Sequence, residues 1–325
     1  MTNHTANDEQ SRTWDWLATL PDHSWDWLAA LSPLLLMMVY NYGLSAVWAV
    51  LGTAVGYLAI AASWRLIGIP GFHLAPALVC GTLVAACLPA TAPAWVALIA
   101  GMVAGGMAGV PAWLNRWRHK TLFSCPVYLP ALTGYLSVRW LFGGQLVGAT
   151  LPSMWTPPDA VAGATPLAAM SEGGVAAERL RWMFWGFDVG SMGAGPLLAI
   201  LLGGLFLLMR RRVGYVAPAV MLTVVAFAFL CHFAMPIYGV VAGGTVLAAL
   251  LLGDGVLLPM GWKGQLASGL IGGGVTVFCR LRYGVDGAAV GVLIACVATT
   301  ILLLVYRLLR PQLLLLVQKF AKSKN

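Results

Sequence analysis

The sequence predicts an all-α polytopic membrane protein, with about ten transmembrane helices arranged as two inverted five-helix repeats. Composition is the first observation behind this. Of 325 residues only 9% are charged and 60% are hydrophobic, with a mean hydropathy of +0.84. Soluble domains carry about a quarter charged residues, so this chain cannot cover a surface that faces water. The second observation is that the apolar runs are continuous. A β-barrel would alternate in and out. The third is an internal echo. Gly81-Thr82-Leu83-Val84-Ala85-Ala86-Cys87-Leu88 shares the pattern G-T-x-x-A-A-x-L with Gly244-Thr245-Val246-Leu247-Ala248-Ala249-Leu250-Leu251. Gly101, Gly105 and Gly106 likewise fall opposite Gly269, Gly273 and Gly274. Two halves of five spans each must have opposite topology, and such inverted repeats build a site at their interface.

Residues 1–28 read as a cytoplasmic, interfacial N-terminal segment. Trp14-Asp15-Trp16-Leu17-Ala18 recurs as Trp25-Asp26-Trp27-Leu28-Ala29. The offset is about three helical turns and puts both Trp pairs on one face, where tryptophans meet the membrane–water boundary. Residues 29–142 hold the first repeat, with spans near 29–43, 45–63, 73–89, 93–110 and 122–142. Residues 143–190 form one long connection that contains Pro152, Pro157, Pro158 and Pro166, and long loops in compact proteins are often functional. Residues 191–310 hold the second repeat, with spans near 192–209, 215–233, 237–253, 262–280 and 288–309. Residues 311–325 read as a basic cytoplasmic tail that lies on the inner leaflet.

The Lys and Arg residues orient the chain. With the N-terminus inside, only Arg139, Arg179, Arg181, Arg280 and Arg282 fall outside, and the rest of the 19 basic residues lie in cytoplasmic segments. This is the positive-inside pattern, and it puts the 143–190 loop on the outer, periplasmic side of a bacterial inner membrane. The net charge of +8 is spread between apolar runs and not gathered on a polar face. The expected partner is therefore the lipid bilayer and not nucleic acid. Arg210-Arg211-Arg212 reads as a topology anchor. The cysteines form no CxxC pair and read as small buried side chains. His73 and His232 sit at opposite sides, which argues against bis-His haem. Asp254, with Lys263 nearby, is the clearest polar candidate within the membrane. Thr82 and Thr245 are a pseudo-symmetric pair of hydroxyls. No catalytic residue and no metal site are predicted.

The most informative stretch is Asp159-Ala160-Val161-Ala162-Gly163-Ala164-Thr165-Pro166-Leu167 in the outer loop. It resembles the flavin-attachment site of the D subunit of the Rnf ion-translocating electron-transport complex, which is related to the B subunit of the sodium-pumping NADH:quinone oxidoreductase. In that family a threonine in a D-x-x-[ST]-G-A-T pattern carries FMN through a phosphoester bond installed by a flavin transferase. Thr165 stands at the acceptor position, Asp159, Gly163 and Ala164 match, and Ala162 departs. The residue types suit the chemistry. A hydroxyl can be esterified, small neighbours allow close approach, and Pro166 biases Thr165 toward an extended backbone. Gly190-Ser191-Met192-Gly193 is similar to the family's G-S-x-G-E-T-S at the opening of the sixth span, but Ala194, Gly195 and Pro196 replace E-T-S. Asp254, Val256 and Pro259 resemble T-D-P-V-T-S-P after the eighth. Pro130, Ala131 and Gly134 resemble the end of N-P-x-N-P-A-x-x-G, with both asparagines lost.

The resemblance implies a membrane subunit of an Rnf-type complex, with electrons passing through FMN on Thr165 and coupling to Na⁺ or H⁺ translocation. It implies other membrane and iron–sulfur subunits as partners. It also implies a further flavin, riboflavin or FMN, which no residue here locates and for which the repeat interface is the place to look. The losses of polar residues mark a divergent member. A second reading is a small-solute, urea-like channel or transporter, in which Thr82 and Thr245 line an inverted-repeat pore.

Overall fold

The computed structural model describes residues 20–69, 73–118, 126, 128–143, 146, 177–187, 190–193, 195–233, 236–254, 261–283 and 287–301. Runs of Leu, Ala and Met lose little side-chain freedom in a helix, and the described regular structure is helical throughout. The first half contains α1 (Leu20–Tyr42), α2 (Leu44–Leu66), α3 (Leu74–Cys87), α4 (Ala94–Arg118) and α5 (Tyr128–Phe142). A short α6 (Ala177–Trp185) precedes the second half. That half contains α7 (Leu197–Met209), α8 (Val216–Phe233), α9 (Pro236–Val241), a 3₁₀ turn (Ala242–Gly244), α10 (Thr245–Leu252), α11 (Gly261–Tyr283) and α12 (Ala288–Ile301). No strand occurs among the described residues.

Among the described residues, three stretches are long and apolar enough to cross a membrane: Leu44–Leu66, Ala94–Leu114 and Val216–Phe233. Leu74–Cys87, Leu197–Met209 and Ala288–Ile301 are shorter apolar helices. Large apolar side chains face outward along these helices, among them Leu51, Val55, Leu205, Phe227 and Leu230. Water would not tolerate so continuous an apolar exterior, whereas lipid does. The protein is an all-α membrane protein.

Three boundaries differ from the sequence expectation. First, α1 already includes Leu20–Tyr42, so Trp25, Asp26 and Trp27 are continuous with the expected span 29–43. Trp27 is buried and Trp25 exposed; the earlier copy of the motif, Trp14 to Ala18, lies outside the described residues. Second, the sixth span begins only at Leu197, directly after Pro196. Ser191, Met192 and Gly193 form a turn ahead of it. Third, the expected span 237–253 is broken into two short helices by the 3₁₀ turn, where Gly244 adopts φ 67°. Only glycine takes that left-handed conformation freely. Gly43 has a similar task between α1 and α2, with φ 58° and ψ −131°.

Two helix pairs share one packing device. In the first half α4 lies parallel to α2, with Gly101 under the carbonyl of Thr53 and Gly105 under that of Tyr57. In the second half α11 lies parallel to α8, with Gly269 against the Ala217 carbonyl and Gly273 against Val224. Gly106 and Gly274 both face open space. The two glycine triplets that align in sequence therefore do the same work position by position, letting backbones touch as small residues do in membrane bundles.

The helices that carry the sequence echo occupy the centre. In α3 residues 79–86 are all buried, and α10 buries Thr245 to Ala249, Leu251 and Leu252. A helix apolar on every side must be surrounded. With 14 and 8 residues, they are about 21 and 12 Å long at 1.5 Å per residue, short of the ~30 Å hydrocarbon core.

Candidate functional site

Among the described residues, three features of the interior bring polar groups or open space together. The first lies between the two echo helices. The turn before α7 closes the end of α3: the Gly193 N–H donates to the Ala86 carbonyl at 2.8 Å and the Met192 N–H to that of Leu88 at 3.1 Å. These bonds satisfy acceptors that the helix end leaves open. A Cβ on Gly193 would fall 2.7 Å from the Ala86 Cα, so glycine permits the approach. Beside this junction is a cavity of about 40 Å³, lined by Ala86, Tyr135, Ser191, Gly244 and Leu251 among others. It sits where the sequence placed the repeat interface. Drug-sized ligands occupy about 300–1,000 Å³, so a flavin does not fit in it.

The second feature is the helix break. Arg280 of α11 is only 5% exposed. Its Nη1 donates to the Gly239 carbonyl at 2.8 Å, and its Nη2 to the Ala242 carbonyl at 2.9 Å and to Thr245 Oγ1 at 2.8 Å. The Thr245 hydroxyl in turn donates to Ala242 O at 2.7 Å. The Arg280 guanidinium also lies 5.9 Å from the centre of the Phe229 ring, within cation–π range. Thr82 has no such role, since its hydroxyl donates to the Leu78 carbonyl of its own helix at 2.9 Å. The paired threonines share burial but not chemistry, and neither lines the cavity.

The third feature gathers residues from both halves at one end of the bundle. His23 Nε2 lies 3.0 Å from Asp254 Oδ1, and both residues are buried. The Trp27 indole N–H donates to the same nitrogen at 3.1 Å. A single ring nitrogen either donates or accepts, so it cannot serve an ionised Asp254 and Trp27 together. One helical turn away, Asp26 takes hydrogen bonds from Arg210 Nη2 at 2.9 Å and from Arg212 Nε at 2.5 Å. Burial pushes the Asp26 carboxyl up, but the bonds from Arg210 and Arg212 outweigh it and hold the carboxyl below its ordinary value of 3.8. The backbone joins the same cluster, because Val213 pairs with Asp254 and the Gly214 N–H donates to the Gly253 carbonyl at 2.7 Å.

Sequence reasoning named Asp254 but matched it with Lys263, its neighbour along the chain. The structure matches it with His23, while Lys263 lies over the Trp262 ring at 5.8 Å. It read Arg210 and Arg212 as an anchor and missed Asp26; an acid in an apolar helix was the available signal. It counted Arg280, at the end of the expected span 262–280, among the outer basic residues; the structure runs α11 on to Tyr283 and buries the Arg280 side chain against neighbouring helices. Asp159, Gly163, Ala164 and Thr165 lie outside the described residues.

A helical membrane bundle with paired glycine-packed helices and two short central helices, one of them set off by a 3₁₀ break, defines a polytopic all-α membrane protein. The chain belongs to the NQR2, RnfD, RnfE family, whose model matches residues 125–307. It is similar to the B subunit of the Na(+)-translocating NADH-quinone reductase of Azotobacter vinelandii, 33% identical over 169 residues, which is 47% of this chain and 41% of that one. The protein of the same description from Pseudomonas aeruginosa (strain LESB58) is 32% identical over 169 residues, with the same coverage. The D subunit of the proton-translocating ferredoxin:NAD(+) oxidoreductase complex of Clostridium ljungdahlii is 31% identical over 143 residues, 39% of this chain and 43% of that one. The matches span about two fifths of the length of these relatives.

Proposed function

We propose that the chain is a membrane subunit of an ion-translocating electron-transport complex and that it carries FMN in phosphoester linkage on Thr165. The observation that carries this reading is the family match, because residues 125–307 enclose the stretch from Asp159 to Leu167. The relatives' descriptions support the coarser part, since they name Na⁺- and proton-translocating oxidoreductase subunits. The finer part rests on the residues themselves. Thr165 supplies the hydroxyl, Gly163 and Ala164 leave room for a flavin transferase, and Asp159 matches the first position of the pattern, from which only Ala162 departs. Bound FMN would pass one or two electrons between carriers. Partners in this reading are further membrane subunits and iron–sulfur subunits. Its place is a bacterial inner membrane, with residues 1–28 and 311–325 at the cytoplasmic face and the flavin loop at the outer face. Asp254, held against His23, is the proposed locus for ion coupling. No second flavin is proposed at the α3–α10 interface, for want of volume.

The test is co-expression with a flavin transferase, followed by in-gel flavin fluorescence after denaturing electrophoresis. Wild type is expected to give a fluorescent band that disappears in Thr165→Val. A dark wild-type band, with the transferase active on another substrate, refutes the flavin assignment.

A further inference from the structure

A buried arginine is costly unless partners meet its charge and its N–H groups. Arg280 lies in the last turn of a 23-residue helix, and its guanidinium meets the 3₁₀ turn that separates α9 from α10. Where an α-helix passes into a 3₁₀ turn the regular four-residue ladder is interrupted, and carbonyls there are open to additional donors. Here the Gly239 and Ala242 carbonyls turn toward a common point. Thr245 adds a third oxygen, because its proton goes to the Ala242 carbonyl, with a longer approach to that of Gly239, and its lone pair is left for Arg280. Unwound carbonyls at such a break are the ligand set that coordinates small cations in broken-helix carriers. In this chain the three oxygens are filled by a positive group from a neighbouring helix, at 2.8–2.9 Å.

We propose that Arg280 is a tethered cation: it fills a monovalent-cation site made by the helix break, so that no free Na⁺ or K⁺ enters there. The Phe229 ring, 5.9 Å away, adds an attractive face for the same charge. Two consequences follow. The break is locked in one geometry at all salt compositions, and any coupling ion uses another part of the molecule. The inference does not depend on flavin at Thr165, and its test does not use flavin.

The test compares full-length wild type with Arg280→Gln in detergent. Glutamine keeps two N–H donors and removes the charge. Thermal unfolding is followed in chlorides of choline, Na⁺ and K⁺ at equal ionic strength. The wild-type midpoint is expected to ignore the choice of cation. The Arg280→Gln midpoint is expected to rise saturably by about 2–4 °C or more in Na⁺ or K⁺ over choline, and dilute methylguanidinium should reproduce the rise. Arg280→Lys keeps a tethered charge and should behave as wild type. Adding Thr245→Val to Arg280→Gln should abolish the response. Should Arg280→Gln not survive purification, recovery of folded protein from membranes in each salt replaces the midpoint. Recovery in Na⁺ or K⁺ alone supports the proposal, and equal loss in every salt overturns it. Identical salt responses of wild type and Arg280→Gln also overturn it.

Discussion

Asp26 is buried and still favours its charged form, because Arg210 and Arg212 both bond to it. Removing one partner of such a group leaves the others uncompensated. Arg210 is 57% exposed, so solvent screens part of the pair. Asp26→Asn is expected to cost about 1–3 kcal/mol at neutral pH, read as a lower unfolding midpoint in detergent. A carboxyl whose folded value is depressed stabilises above its unfolded value of 3.8, and the contribution fades as pH falls through the lower folded value. The gap between wild type and Asp26→Asn should therefore close in acid; a gap that stays constant to the acid limit would contradict the ion-pair account. Much less of this scale was readable in advance. Asp254 could be picked as an acid after an apolar run, but its partner could not, since His23 lies 231 positions away. Arg280 was visible as a basic residue, yet only the packing of α11 against the helix break decided that its side chain is buried.

At the scale of elements, glycine spacing carried more. An alanine Cβ at Gly101 would stand 2.0 Å from the Thr53 carbonyl, which is backbone and cannot swing aside; at Gly106 it would meet nothing within 4 Å. Both substitutions gain the same intrinsic helix propensity, about 1 kcal/mol. Gly101→Ala should thus destabilise the α2–α4 pair while Gly106→Ala is neutral or stabilising, measured by unfolding midpoints of the two variants. Equal effects would show that the helices do not touch where the glycines put them. The alignment of the two triplets was legible from sequence because tight packing allows few residue types. The break at Ala242–Gly244 was not, since Gly is common in continuous membrane helices as well.

Across the whole molecule, His23 and Asp254 tie the first helix to the end of α10, and Asp26 ties the same helix to the α7–α8 turn. The N-terminal helix is thereby fastened to the second half by polar groups in an apolar setting. A double-mutant cycle with His23→Ala and Asp254→Ala should return a coupling of about 0.5–3 kcal/mol, the range for residues in contact. Additive losses would mean that the contact does not hold the halves together.

By itself the sequence determined the environment, the helical class and the family. Lipid demands apolar surfaces and internally satisfied backbones, and those demands are written locally in composition and run length. The resemblance in Asp159–Leu167 is equally local, because attachment chemistry needs a short pattern. Only the tertiary structure decided which polar groups meet. Arg280 at the helix break and His23 against Asp254 are placed by the packing of distant helices, and a buried charge finds its partner through three-dimensional proximity, of which sequence spacing holds no record.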